Sequence, residues 1–178
     1  MKEATSGPKE NPNKEIRIEK VVLNIGVGEA GEKLDKAKKV IQLLTGRKAT
    51  QTISKVTNKD LGIRFGMPIG VKVTLRKDEA PEFLRKALWV RENKVTSYSF
   101  DQEGNFSFGI SDYTDFEGMK YDPQIGIFGL DVNVVLTRAG KRVKIRRKAP
   151  ARFSRSHRVS KEEAIKWMAE TFKVEVLD

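Results

Sequence analysis

The sequence predicts an α+β fold: a mainly antiparallel sheet with helices on one face, the other face left open, and a basic arm attached. Two patterns point to it. In the strand-like runs apolar residues alternate with polar ones, the mark of strands buried on one side only. Between and after those runs the apolar period lengthens to that of amphipathic helices, enough to cover a single face of the sheet. The arm is a stretch of cations with no acidic residue.

Residues 16–25 read as the first strand, with Val21, Leu23 and Ile25 on one face and Lys20, Val22 and Asn24 on the other. From about 29 to 44 the pattern is helical, and Leu34, Ala37, Ile41 and Leu44 share a side. Glu29, Glu32 and Asp35 suit the positive end of that helix dipole, and Gly46 suits its end. A second strand is expected at 49–55, then a Gly-rich polar loop at 56–70. The third strand, 71–76, sets Val71, Val73 and Leu75 against Lys72, Thr74 and Arg76. Asp78 and Pro81 announce a helix that buries Phe83, Leu84, Ala87 and Leu88. The chain then reads as irregular and partly acidic until a fourth strand, 131–137. There Val132, Val134 and Leu136 oppose Asp131, Asn133, Val135 and Thr137. Ser160 and Glu163 form a capping box for a last helix through about Phe172. Residues 1–14, broken by Gly7, Pro8 and Pro12, read as a flexible tail. Residues 15–178 then form one domain, including the loop 56–67 and the basic arm 138–161.

Composition narrows the chemistry. A chain of 178 residues can bury a sizeable core, and the absence of cysteine excludes a disulfide framework, a Cys-based zinc site and thiol catalysis. No apolar run approaches 18 residues, and the opening MKEATSGPKENPNKE lacks the apolar stretch of a signal peptide. A soluble, cytoplasmic protein with no membrane partner is expected. Between Arg138 and Lys161 stand eleven of the 35 Lys and Arg residues and no Asp or Glu; the other 24 cations balance the 24 anions. The whole net charge of +11 therefore resides in the arm, TRAGKRVKIRRKAPARFSRSHRVSK. Charge gathered in this way predicts a polyanionic partner, nucleic acid first. Because a strand precedes the arm and a capped helix follows it, residues 138–148 are expected to form a β-hairpin or extended finger turning at Ala139-Gly140. The competing account is a disordered, solubilising or import-like segment. If about half the arm's charges meet phosphates, log affinity falls with log salt at a slope of roughly −4 to −5.

Other motifs are weaker. Residues 26–31 spell G-x-G-x-x-G between a strand and a helix, the position of a dinucleotide-binding turn. A nicotinamide-dependent enzyme is the rival reading, yet no acidic residue closes the second strand, and half-buried strands argue against a doubly wound sheet. Neither a catalytic residue, a cofactor nor a metal is assigned. The single histidine, His157, lies among cations with no nearby carboxylate to orient it. Asp112, Asp115, Glu117 and Asp122 lack calcium-loop order and are expected to pair internally with the basic regions. Phe106 and Phe108 are assigned to the core, and Trp89 and Trp167 to core or interface.

Several longer runs carry a resemblance. Ile18-Glu19-Lys20-Val21-Val22-Leu23-Asn24-Ile25-Gly26-Val27-Gly28-Glu29 and Leu44-Thr45-Gly46-Arg47-Lys48 come first. In order follow residues 62–76 (GIRFGMPIGVKVTLR), Gly104-Asn105-Phe106, Tyr121-Asp122-Pro123 and residues 126–131 (GIFGLD). From about Asn11 onward the chain resembles the large-subunit ribosomal protein five family, the 5S rRNA-binding proteins of the central protuberance, in its archaeal and eukaryotic branch. The resemblance implies a non-enzymatic ribosomal protein whose open sheet face docks on 5S rRNA through Asn24 and Thr74. Arg47 stands where bacterial relatives carry Gln. It also implies that the loop 56–67 reaches P-site tRNA, with Lys59 and Arg64 as phosphate contacts on an extended, adaptable probe. Expected rRNA contacts on and beside the sheet are Lys20, Asn24, Arg47, Lys72, Thr74 and Arg76. On the arm they are Arg138, Lys141, Arg142, Lys144, Arg146, Arg147, Lys148, Arg152, Arg155 and Arg158. Expected partners are 5S rRNA, large-subunit rRNA, P-site tRNA and neighbouring ribosomal proteins; a general RNA chaperone is a further alternative.

Overall fold

The computed structural model describes residues 11–177. Its elements run β1 (Ile16–Gly26), α1 (Glu32–Thr45), β2 (Thr50–Ile53), β3 (Pro68–Leu75), α2 (Glu79–Val90), β4 (Lys94–Thr96), β5 (Phe106–Ile110), β6 (Leu130–Arg138), α3 (Arg142–Ile145), α4 (Lys161–Phe172) and β7 (Glu175–Leu177). Five strands form one antiparallel sheet in the order β2-β3-β1-β6-β5. The long β1 sits at its centre. It is the natural spine, because Val21, Leu23 and Ile25 pair on one side with Leu75, Val73 and Val71 and, for the first two, on the other with Val134 and Val132. All of these are buried.

Helices α1 and α2 cover that apolar face. They bury Leu34, Ala37, Val40 and Ile41, and Ala80, Phe83, Leu84, Ala87 and Leu88. Helix α4 adds Ala164 and Met168 to the same core. Each fully buried aliphatic side chain stabilises the fold by about 1.5–3 kcal/mol relative to exposure. The predicted α+β architecture is the observed one, with a mainly antiparallel sheet. The parallel pair β4–β7 lies apart from it and ties down the C-terminal end.

Local differences from expectation have local causes. Helix α1 begins at Glu32 and not near Glu29, because Gly31, at φ 105°, turns the chain immediately before it. Strand β3 starts at Pro68, three residues inside the expected loop; its first residues extend the ladder to β2 through Thr52↔Gly70 and Ile53↔Pro68. A Cβ on Gly70 would lie 2.8 Å from both the Ile25 carbonyl and the Thr52 hydroxyl, so close backbone approach, and not a loop, explains that glycine. Strands β4, β5 and β7 lie in segments given no strand in advance, since three to five residues barely establish a period. The expected tail lies outside the described residues over 1–10, while Pro12–Lys14 form a single 3-10 turn.

The arm is corrected most. Residues 138–148 are neither hairpin nor extended finger. After the turn at Ala139-Gly140 the chain coils into α3, where Arg146 N–H donates to the Arg142 carbonyl at 2.9 Å. Val143 and Ile145 alternate as a strand would, but among the described residues no strand pairs with them, and Lys and Arg are good helix formers. The Ala151 N–H then donates to the Val143 carbonyl at 3.2 Å, folding the arm back on itself.

Candidate nucleic-acid interface

Residues paired across neighbouring strands share a face. One row therefore crosses all five strands: Thr50, Lys72, Asn24, Asp131 and Gly109. The adjacent row is Thr74, Val22, Asn133 and Ser107. At about 4.8 Å per strand the first row spans roughly 19 Å. All these residues are half-buried or exposed, whereas on β1, β3, β5 and β6 their neighbours along the strand include the buried Leu23, Val73, Phe108 and Val132 on the inner side; on the edge strand β2 Gln51 is exposed as well. Asn24 and Thr74 are thus diagonal neighbours on the outward face, and Lys20, opposite Val135, extends it. Arg76 follows the end of β3 and is exposed. The sequence alternation had already separated Asn133 from the core; Ser107 and Gly109 were missed as surface residues because β5 was not recognised, although the Phe106/Phe108 spacing was its signal.

The arm leaves the sheet at the end of β6, where Arg138 pairs with Ile16 at the start of β1. Three of its cations turn inward. Arg138, whose side chain is only 11% exposed, bonds Glu163 at 2.9 Å and the Arg158 carbonyl at 3.3 Å. Lys141 pairs with Glu19 on β1, and Arg158 with Glu103 ahead of β5 at 2.5 Å. Beside that pair, Val159 is buried over Gly104. A Cβ there would come within 2.8 Å of Val159 Cγ1, and φ at 73° further restricts the position to glycine. The capping box closes the arm: Glu163 N–H donates to Ser160 Oγ at 3.3 Å, and Ser160 N–H to the Glu163 carboxylate at 3.0 Å. That backbone donor, with help from Arg138, holds the Glu163 carboxyl below its ordinary range.

The remaining predicted arm contacts, Arg142, Lys144, Arg146, Arg147, Lys148, Arg152 and Arg155, are exposed and form no ion pair among the described residues. Lys144, Arg152, Arg155 and Arg158 surround a depression of about 670 Å³ with Phe153 in its wall. The His157 Nε2 lies 2.8 Å from the Ala139 carbonyl and its ring packs edge-on against Phe153. Just past the end of α1, Arg47 is engaged by Glu79, the first residue of α2, at 2.6 Å.

The loop between β2 and β3 is a built structure. Asn58 and Ile63 exchange backbone hydrogen bonds of 2.8 and 2.9 Å, and Phe65 N–H donates to Thr57 Oγ1 at 3.0 Å. Lys59 and Arg64 flank this tip, both exposed. Instead of the extended probe expected, the segment is a small sub-hairpin. It carries Val56, Leu61 and Phe65 outward with the two cations.

Other expectations are revised. In the turn at 26–31 two of the backbone donors are taken, because the Val27 and Gly28 N–H groups both donate to the Ile69 carbonyl, at 2.9 and 2.8 Å. Asp112, Asp115, Glu117 and Asp122 form no ion pair with the basic regions among the described residues; Asp112 and Asp122 accept from the Thr114 and Gln124 N–H groups and close turns. Phe106 and Phe108 are buried as expected. Trp89 is not core: it is 60% exposed on α2. Trp167 is half-buried against Phe172. No helix among the described residues is long and apolar enough to cross a membrane.

Comparison with known proteins agrees with this architecture. The profile of ribosomal protein L5 matches residues 11–64, and the profile of the C-terminus of the same ribosomal family matches residues 68–167. The chain is 56% identical to the large ribosomal subunit protein uL5 of Thermoplasma acidophilum over 168 residues, which covers 94% of this chain and 99% of the relative. The proteins of the same name from Picrophilus torridus and Sulfurisphaera tokodaii are 53% and 49% identical, each over 94% of this chain and 96% of its own length.

Proposed function

The chain belongs to the ribosomal protein L5 family, and from that premise we propose that it is a structural protein of the large ribosomal subunit that grips 5S rRNA and fastens it into the central protuberance. Its relatives are named as ribosomal proteins and not as enzymes, which places this chain in a structural family at the cytoplasmic ribosome.

One observation carries the RNA reading: a solvent-facing row crosses all five strands, polar on four of them and glycine on the fifth, in a sheet whose other face packs against helices. Asn24 offers both a donor and an acceptor, and the Thr74 hydroxyl does the same, so the pair can match base edges or ribose hydroxyls. Lys20 and Lys72 add phosphate attraction on that face. The exposed arm cations supply the salt-sensitive, sequence-independent share of affinity, while the sheet supplies orientation. The sub-hairpin with Lys59 and Arg64 touches the backbone of P-site tRNA. Trp89 suits a neighbouring protein of the protuberance, since exposed tryptophan is favoured at interfaces.

The test is competition binding of 5S rRNA against tRNA across a salt series. A preference for 5S rRNA that persists at moderate salt, where charge alone is screened, is expected. Equal affinity for both RNAs would make the protein a general RNA chaperone and end the ribosomal reading of this surface.

A further inference from the structure

Asp131 is out of place on a surface meant for a polyanion. It stands in the row that crosses the five strands, between Asn24 and Gly109, exposed, and its carboxylate makes no ion pair or hydrogen bond among the described residues. Facing phosphate it would only repel. A carboxylate has a favourable role on such a face when it accepts from the donor edge of a base.

The surroundings suit that role. Opposite Asp131 on β5 is Gly109, whose missing side chain answers no backbone need: its φ lies outside the left-handed region, and an added Cβ would meet nothing closer than Asp131 Oδ1 at 3.8 Å. The space left above it belongs to an open depression of about 310 Å³, lined also by Ser107, Asn133 and Tyr98. Tyr98 is 81% exposed at the rim, presenting a ring to solvent. Arg91, likewise exposed, stands beside it and forms no ion pair among the described residues.

We propose that this depression holds one unpaired guanine of the bound RNA. The guanine N1–H and N2 amino group donate in parallel to the two Asp131 oxygens. Tyr98 supplies a stacking surface, Asn133 and Ser107 supply donors toward O6, and Arg91 meets a flanking phosphate. The chemistry excludes the other bases. Adenine turns the N1 lone pair toward the carboxylate, uracil sets its single N3–H between two carbonyls, and cytosine offers one amino group beside an acceptor. Only guanine presents two adjacent donors. The proposal rests on the 5S rRNA reading and names the nucleotide that the sheet face would select.

The experiment is chemical footprinting of 5S rRNA with a reagent that modifies the N1 and N2 positions of unpaired guanine, using the full chain. The wild-type protein is expected to shield at least one guanine. Asp131→Asn and Tyr98→Ala should each lose shielding at that same guanine while other protections remain. Asp131→Asn should weaken binding about tenfold, because one acceptor becomes a donor facing a donor. Gly109→Ala, which fits without clash, should weaken the same protection. Inosine at the identified position, lacking the N2 amino group and therefore read by affinity and not by footprint, should reproduce the roughly tenfold Asp131→Asn weakening of binding on wild-type protein. Unchanged footprints in folded variants would overturn the guanine site and leave 5S binding standing. Failure of the wild-type chain to bind 5S rRNA would overturn both.

Discussion

The sheet face and the basic arm both present polar and cationic groups to solvent, but different physics holds them in place. On the sheet, position comes from register. Asn24 lies between Lys72 and Asp131 because β1 is hydrogen-bonded on both sides and buries Val21, Leu23 and Ile25 beneath. A one-residue slip would turn that entire set over, so the core itself enforces the outward pattern. The arm has little core of its own. Val159, a capping box and three inward ion pairs, to Glu19, Glu103 and Glu163, fix its two ends. The stretch between them carries the free charge. A rigid face can discriminate geometry, whereas a pinned, charge-rich segment contributes attraction whose strength follows ionic strength.

The strongest way to break this contrast is to remove the register's foundation. Leu23→Ala should cost about 2–5 kcal/mol, measured by denaturant unfolding, and should take both surfaces with it. Survival of 5S binding through such a loss would mean that the arm acts without the sheet. Next in size is the division of labour in binding. Asn24→Ala or Thr74→Ala should weaken 5S binding by about 1–3 kcal/mol with an unchanged salt slope. Neutralising Arg146 and Arg147 together should instead lower the slope by about two. If the two classes of variant behave alike in a filter-binding salt series, the distinction between face and arm is lost.

A smaller effect concerns the pins. Arg138→Ala removes a mostly buried guanidinium but leaves Glu163 partly in solvent, so about 1–2 kcal/mol of stability should be lost. Denaturation of the single variant measures it; no change would place the arm's attachment elsewhere. The smallest is a pH response. The Glu163 carboxyl is held below its ordinary value of 4.5 by the Ser160 N–H and then by Arg138. A depressed carboxyl contributes stability that is complete above the ordinary value and is lost as pH falls through the lowered one. An NMR titration of Glu163 should therefore show its midpoint below 4.5, with the start of α4 loosening over the same interval. A midpoint at or above 4.5 would remove the cap from the account of the arm.

Much of the face was readable in advance, and little of the arm was. The two-residue alternation in β1, β3 and β6 separates Asn24, Lys72, Thr74 and Asn133 from the core without coordinates, because burial on one side leaves its period in the chain. The Ser160–Glu163 cap was equally legible, being a local pattern with a local bond. Ion pairs are not local: Lys141 reaches Glu19 across more than a hundred residues, and Arg158 reaches Glu103. The depression beside Asp131 was hidden for the same reason, since it needs β5, β6 and the segment around Tyr98 brought together.

Charge segregation, the alternating strands and the helix patterns belong to the chain as written, because each arises from the order of side chains along it. Which cations stay free, which strand lies at the centre, and which side chains meet in one row emerged only on folding. Those facts depend on distances between residues remote in sequence, and distance is set by the packed core.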